Sequence, residues 1–420
     1  MREIKPLPRP VQTVVSVPGS KSYTHRMFIA AALSSGPCVI QNALCSEDTR
    51  FTLETLKKWG VEVEKTGEDL VVHGRPGGLV ACDEPIFLGN SGTSMRLLTA
   101  VAALAKGRSV LSGSERLKAR PIQDLVDGLS QLGIAARSAD GNGRPPVEIE
   151  GGAVRGGRAV LNCSLSSQFL SALLLIGPGT AEGIEVLVQR GPVSRPYIDI
   201  TLEVMARFGV PVERRAYEWF RVPGGRPYRS GSYLVEADCS QAGYFWAAAA
   251  ITGSTVAVKG TSLDSRQGDV RMVEILERMG CTVSARADGI SVKGGRLSAV
   301  DADMADLPDV VPTVAVVAAF ARGRTVIRNV AHLREKESDR LAAVCTELGK
   351  MGIDAGHDEH MLWVQGGRPT AAAVDCHNDH RMAMSFAVAG LKTEGIRILD
   401  DACVQKSFPT FWEVFGRLYR

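Results

Sequence analysis

The chain has 420 residues, 45% of them hydrophobic and 23% charged, and a net charge of +3 at neutral pH. That length sets a prior of two or three domains, and the balance is that of a soluble globular protein with an ample core. So small a net charge argues against nucleic acid or an anionic membrane as partner. The nine cysteines include no C-x-x-C pair and no zinc-ligand spacing, so they read as reduced thiols in a reducing, cytoplasmic compartment. The start, Met1-Arg-Glu-Ile-Lys-Pro6, lacks the apolar core of a secretory signal, and stretches such as 169–176 and 313–321 are too short to cross a bilayer.

In chain order, the first predicted element is the β-branched run Val14-Val15-Ser16-Val17, which ends at Pro18-Gly19. An apolar helix from Lys21 follows, then a glycine turn at Gly36 and a short strand. That trio recurs. Glycine turns leading into β-branched strands stand at Gly36, Gly107, Gly183, Gly253, Gly323 and Gly395, spaced 70 to 76 residues apart. Interleaved with them, five helices end in an apolar residue and glycine, at Gly60, Gly133, Gly209, Gly280 and Gly352. Glycine there suits the left-handed position that closes a helix. Two strands follow each, and four of the five pairs close on Gly-Gly.

The second pattern has five copies and the first has six. The missing piece is expected from the other end of the chain, with the strand at 14–17 completing the last repeat. Six α/β units then divide into two domains of three. Residues 1–19 with 237–420 make a discontinuous domain that carries both termini, and residues 20–236 a continuous one. The Gly/Pro/Arg-rich stretch 223–231 precedes the second crossing.

Each unit has one very apolar helix, and the starts of these helices are polar. They read Lys21-Ser22-Tyr-Thr-His-Arg26, Gly89-Asn90-Ser-Gly92-Thr93, Ser166-Ser167-Gln168, Cys239-Ser240-Gln241, Pro308-Asp309 and Asn378-Asp379-His380-Arg381. Ser, Asn, Asp and Thr are ordinary caps. Lys21, Arg26 and Arg381 are not, because cations suit the other end of a helix dipole. An anion seated on the free N–H groups would account for them. Loops at the same phase add Arg116-Leu-Lys118-Ala-Arg120-Pro121, Ser194-Arg195-Pro196-Tyr197, Lys336-Glu337-Ser-Asp339-Arg340 and Lys406-Ser-Phe-Pro409. Lys336 and Arg340, four apart, are expected on one helical face with Glu337 beside them.

These motifs, collinear over nearly the whole chain, resemble the 5-enolpyruvylshikimate-3-phosphate synthase family of enolpyruvyl transferases. The resemblance implies two similar domains, each of three βαβαββ-like units with buried helices, and a site in the cleft between them. It implies transfer of the carboxyvinyl group of phosphoenolpyruvate to the 5-hydroxyl of shikimate 3-phosphate, with loss of phosphate from a tetrahedral ketal. That step belongs to the route to chorismate and the aromatic amino acids, and its enzyme is the target of glyphosate. No metal or organic cofactor is implied, and a monomer acting on small molecules is expected. By the family's pattern Lys21, Ser22, Arg26, Ser166, Ser167, Gln168, Ser194, Tyr197, Asp309, His332 and Lys336 hold shikimate 3-phosphate. Lys21, Asn90, Gly92, Arg120, Gln168, Arg340, Arg381 and Lys406 hold phosphoenolpyruvate. Asp309 is the implied base and Glu337 the implied acid, with Lys21 a third proton carrier.

The chain departs from the family at Thr24 and His25 in the first motif, at His332 where Asn is common, and at Leu97 where many relatives have Pro. His332 raises a question of charge state, and Leu97 an expectation of altered glyphosate affinity. Three rival readings stand beside the first. A UDP-N-acetylglucosamine carboxyvinyltransferase would have Cys in the loop 112–120 and Asn after the first Lys; here that loop has no Cys, and Ser22 follows Lys21. An RNA 3′-phosphate cyclase would need a nucleotidylated His and a more basic surface. A phosphometabolite-binding protein without activity would not need Asp309 and Glu337 among its cations.

Overall fold

The computed structural model describes residues 1–420. The chain contacts divide it into two compact units: Gly19–Val235, and Met1–Pro18 together with Glu236–Arg420. No helix is long and apolar enough to cross a membrane.

The continuous unit, Gly19–Val235, holds three four-stranded sheets of one pattern. The strand after each glycine turn, Pro37–Gln41, Gly107–Ser112 or Ile184–Arg190, lies second from one edge. A parallel strand flanks it on one side, and an antiparallel hairpin on the other. In the first sheet that parallel edge is Gly231–Leu234, the last strand of the unit, which closes the ring of three repeats on itself.

The discontinuous unit repeats the plan in two four-stranded sheets, its third sheet has three strands, and one pairing differs from the sequence expectation. The strand that completes the last repeat is Arg2–Ile4, antiparallel to Ile396–Ile398. Gln12–Ser16, which contains Val14 and Val15, instead pairs in parallel with Thr255–Lys259 of the fourth repeat. It stands where Gly231–Leu234 stands in the other unit. Alternating apolar residues mark a strand but do not name its partner; the partner is whichever sheet edge is left open.

Inside each unit three helices are almost entirely buried: Lys21–Ala32, Gly92–Ala102 and Gln168–Ile176 in one, Cys239–Thr252, Val311–Ala318 and His380–Gly390 in the other. A helix apolar all round belongs in a core. The outer helices, such as Glu47–Lys58 and Arg340–Lys350, bury one face only.

The repeated glycines have a common cause. Those after the outer helices, Gly60, Gly133, Gly209, Gly280 and Gly352, take φ between +74° and +109°. Those that close the hairpins press against the C-terminal carbonyls of the buried helices. A Cβ on Gly151 would lie 2.2 Å from Ala102 O, and one on Gly366 2.9 Å from Ala318 O. The close approach lets the neighbouring N–H reach a last-turn carbonyl. Gly152 N–H donates to Ala103 O at 2.9 Å and Gly367 N–H to Ala319 O at 2.9 Å, while Leu7 N–H does the same to Leu391 O at 2.9 Å. Buried helix ends have no water to satisfy them, so in these three repeats the backbone supplies a donor.

Candidate active site

In the continuous unit the starts of the three buried helices are tied to one another. Gln168 Nε2 donates to Thr93 Oγ1 at 2.9 Å, joining the third start to the second. Ser94 Oγ donates to Asp48 O at 3.1 Å, and Lys21 Nζ pairs with Asp48 Oδ2 at 3.1 Å, joining the second to the first. Ser91 caps the Gly92 helix through Ser94 N–H. Ser166 Oγ accepts from Gln168 N–H at 3.2 Å, and Ser167 Oγ donates to Ser194 O at 3.3 Å. Ser194 itself sits at φ +54°. Lys21, Ser22, Asn90, Gly92, Arg120, Ser166, Ser167, Gln168 and Ser194 thus gather around three linked helix starts.

Arg26 lies one turn inside its helix, 1% exposed. Its Nε donates to Thr201 Oγ1 at 2.7 Å, Nη1 to Ser22 O at 2.9 Å and Nη2 to Tyr197 O at 3.1 Å. Burial lowers its pKa to about 10, and it stays cationic at neutral pH. Arg26 therefore also holds Ser22 and Tyr197 in place. Gly92 faces two guanidiniums: a Cβ there would lie 2.3 Å from Arg96 Nη1 and 2.5 Å from Arg120 Nη1. Any side chain at position 92 would push on both cations.

In the discontinuous unit the organiser is Arg340, 1% exposed. Its Nη1 pairs with Asp309 Oδ1 at 2.9 Å, Nη2 with Glu337 Oε2 at 2.9 Å and Nε with Asp379 Oδ2 at 2.8 Å. Burial alone would lower its pKa; the three carboxylates override that and hold it above the ordinary arginine value. Arg381, 2% exposed, pairs with Asp309 Oδ2 at 2.6 Å and reaches the Tyr244 hydroxyl at 3.3 Å. Asp309 is thus shared by two arginine forks. Asp379 caps the His380 helix through Arg381 N–H at 2.9 Å and accepts from Ser338 Oγ at 3.0 Å. Lys406 ends the turn Asp401–Lys406, and the next residue, Ser407, is held by Gln241 Nε2 at 3.2 Å.

Two expectations change here. Lys336 and Glu337 do not share a helical face with Arg340. The helix begins at Arg340, and Lys336 is extended at φ −91°, ψ −163°. The reason is Asp339, whose side chain accepts from Leu341 and Ala342 N–H and so fixes the helix start after it. His332, in turn, has no open question of charge. Burial, and then Lys336, push its pKa down to about 3, so it is a neutral imidazole at working pH.

Sequence reasoning missed several contributors. Asp48 looks like an ordinary acid in the first turn of the helix Glu47–Lys58, yet it is 1% exposed and pairs with Lys21. Arg96 could have been found, because it lies one helical turn beyond Gly92. Asp379 and Tyr244 carry no local sign of their arginine partners.

A sequence profile of the EPSP synthase (3-phosphoshikimate 1-carboxyvinyltransferase) family matches residues 6–415. The chain is 43% identical over 411 residues to the 3-phosphoshikimate 1-carboxyvinyltransferase of Syntrophobacter fumaroxidans, covering 97% of each. It is 43% identical over 406 residues to that of Methanoculleus marisnigri, covering 96% of each. Among solved structures, the EPSP synthase of Acinetobacter baumannii superposes with a TM-score of 0.83 at 31% identity, over 99% of this chain and 97% of that one. An enolpyruvyl transferase of Streptomyces tendae, at 20% identity and a TM-score of 0.78, shares the fold.

Proposed function

The chain belongs to the EPSP synthase family, and from that we propose that it transfers the carboxyvinyl group of phosphoenolpyruvate to the 5-hydroxyl of shikimate 3-phosphate, releasing phosphate. The observation that carries the chemistry is the Arg340 cluster: one buried guanidinium sets Asp309 and Glu337 on adjacent nitrogens, with Arg381 on the far oxygen of Asp309.

In this reading Asp309 takes the proton of the 5-hydroxyl, and Glu337 protonates the methylene carbon of phosphoenolpyruvate. The hydroxyl oxygen then bonds to C2, giving the ketal phosphate. Return of a methyl proton expels phosphate and restores the vinyl group. Arg120, Arg340, Arg381 and Lys406 supply forks and point charges for the carboxylate and phosphate of phosphoenolpyruvate. Lys21, the serines, Gln168, Tyr197, His332 and Lys336 hold shikimate 3-phosphate, with His332 acting as a neutral hydrogen-bonding group. The enzyme is read as a cytoplasmic monomer.

Phosphate release with shikimate 3-phosphate and phosphoenolpyruvate tests the proposal, with UDP-N-acetylglucosamine as control acceptor. Turnover only with the control, or with neither, overturns it.

A further inference from the structure

The helix Cys239–Thr252 opens on Cys239-Ser240-Gln241, a polar start that takes no substrate role in the reading above. Ser240 Oγ donates to Asp269 Oδ2, and the two residues are 7% and 4% exposed. The second carboxyl oxygen, Asp269 Oδ1, is shut off from solvent and has no hydrogen-bond partner. The segment that carries Asp269 is clamped to the same helix start. Gln267 Oε1 accepts from Cys239 N–H at 3.0 Å, and its Nε2 donates to Glu236 Oε1 at 2.6 Å and to Ala237 O at 2.8 Å. Tyr244 follows Ser240 by four residues, so the two share a helical face, and the Tyr244 hydroxyl meets Arg381. The turn Gly268–Arg271 that carries Asp269 packs against the turn Pro308–Val310 that carries Asp309, and Asp269 feels the charges of Asp309 and Arg381.

We propose that Asp269 is a positioning residue of this site: held against Ser240, its carboxyl decides how much of the Arg381 charge remains for an anionic substrate. The inference rests on the enolpyruvyl-transfer reading. An ionised carboxylate wants several donors, and this one has a single hydroxyl in a dry setting, so the neutral acid is the form the site favours. Burial, and then Asp309, raise its pKa to about 7. The other groups around it do not compensate. Asp238 adds to the negative field, Cys239 and Tyr244 are kept neutral by burial, and Arg271 pairs with Glu274 in solvent at 3.6 Å.

The sign follows. Below about pH 7 Asp269 is neutral, and the Arg381 charge is opposed by Asp309 alone among these carboxyls. As pH rises through 7 a second negative charge forms behind Arg381, and its hold on an anion weakens.

The test is the KM for phosphoenolpyruvate between about pH 6 and 8.5, measured for wild type, Asp269→Asn and Ser240→Ala. Titration of substrate and lysines is common to all three, so the ratio to wild type is read. The wild-type KM should rise by roughly 3- to 10-fold more across that range than the KM of Asp269→Asn. Ser240→Ala removes the donor that favours the ionised form, so its alkaline rise should start at higher pH. It serves as the readout if Asp269→Asn melts below the assay temperature. Parallel profiles in wild type and Asp269→Asn, or an unshifted rise in Ser240→Ala, overturn the inference. Absence of wild-type turnover with both substrates overturns the underlying reading, and the inference with it.

Discussion

Replacing Arg340 by Met keeps most of the side-chain volume and removes the one charge shared by Asp309, Glu337 and Asp379. The worst consequence falls on Asp379, which is 0% exposed and is left with Ser338 Oγ and the Arg381 N–H as donors and with His380 Nδ1 at 3.6 Å. Removing one partner of a buried ion pair costs about 3–5 kcal/mol, because the other charge stays behind unpaired. The discontinuous unit spans 203 residues, 1–18 and 236–420, a size at which 1 kcal/mol moves Tm by about 2–4 °C. Arg340→Met should therefore lower the melting of that unit by roughly 6–20 °C. Activity should fall by at least ~100-fold, since both reacting carboxylates lose their anchor. A double variant, Arg340→Met with Asp379→Asn, leaves no orphaned charge at position 379 and should regain part of the loss, a coupling of about 1–3 kcal/mol. Calorimetry of the two variants and of Asp379→Asn alone closes the cycle. If Arg340→Met melts within 2 °C of wild type, or Asp379→Asn returns nothing, the Arg340 cluster does not hold this region together and the reasoning fails.

Asp309→Asn and Glu337→Gln should each keep substrate binding and lose turnover by at least ~100-fold, the usual scale for one acid–base group; near-normal phosphate release removes that residue from the mechanism. Deleting Met1–Val17 takes the strands Arg2–Ile4 and Gln12–Ser16 from two sheets of the discontinuous unit. Its melting should fall while Gly19–Val235 stays folded by hydrogen exchange, and unchanged melting of both units would count against the pairing. His332 is neutral in the folded chain down to about pH 3 but titrates near 6.5 when unfolded. Its burial therefore costs nothing above about pH 6.5 and destabilises progressively below it. His332→Asn should lose less stability than wild type between about pH 6.5 and 3, by on the order of 1 kcal/mol per pH unit. Parallel denaturation curves over that range would contradict the assignment.

Six repeats and the cation-rich helix starts were legible in the residues themselves. Each depends on chain-local physics. A glycine that must take positive φ, or sit against a buried carbonyl, admits almost nothing else, so the repeat shows through the rest of the sequence. A cation at a helix start violates the dipole preference and marks itself. The site motifs are likewise contiguous runs, which is why Lys336, Glu337 and Arg340 stood out even though the expected helical face does not exist. What tertiary structure alone decided are pairings across distance. Asp48 meets Lys21 from 27 residues away, Asp379 meets Arg340 from 39, and Tyr244 meets Arg381 from 137. A buried acid opposite an arginine has the same local sequence as a helix cap or a solvated side chain. Nothing nearby distinguishes them, because the energy that selects the partner is desolvation, and desolvation exists only once the chain has closed around the pair. The two N-terminal strands carry the same lesson. Their alternation says that they are strands, and only the sheets left with open edges say that Arg2–Ile4 completes the sixth repeat and Gln12–Ser16 the fourth.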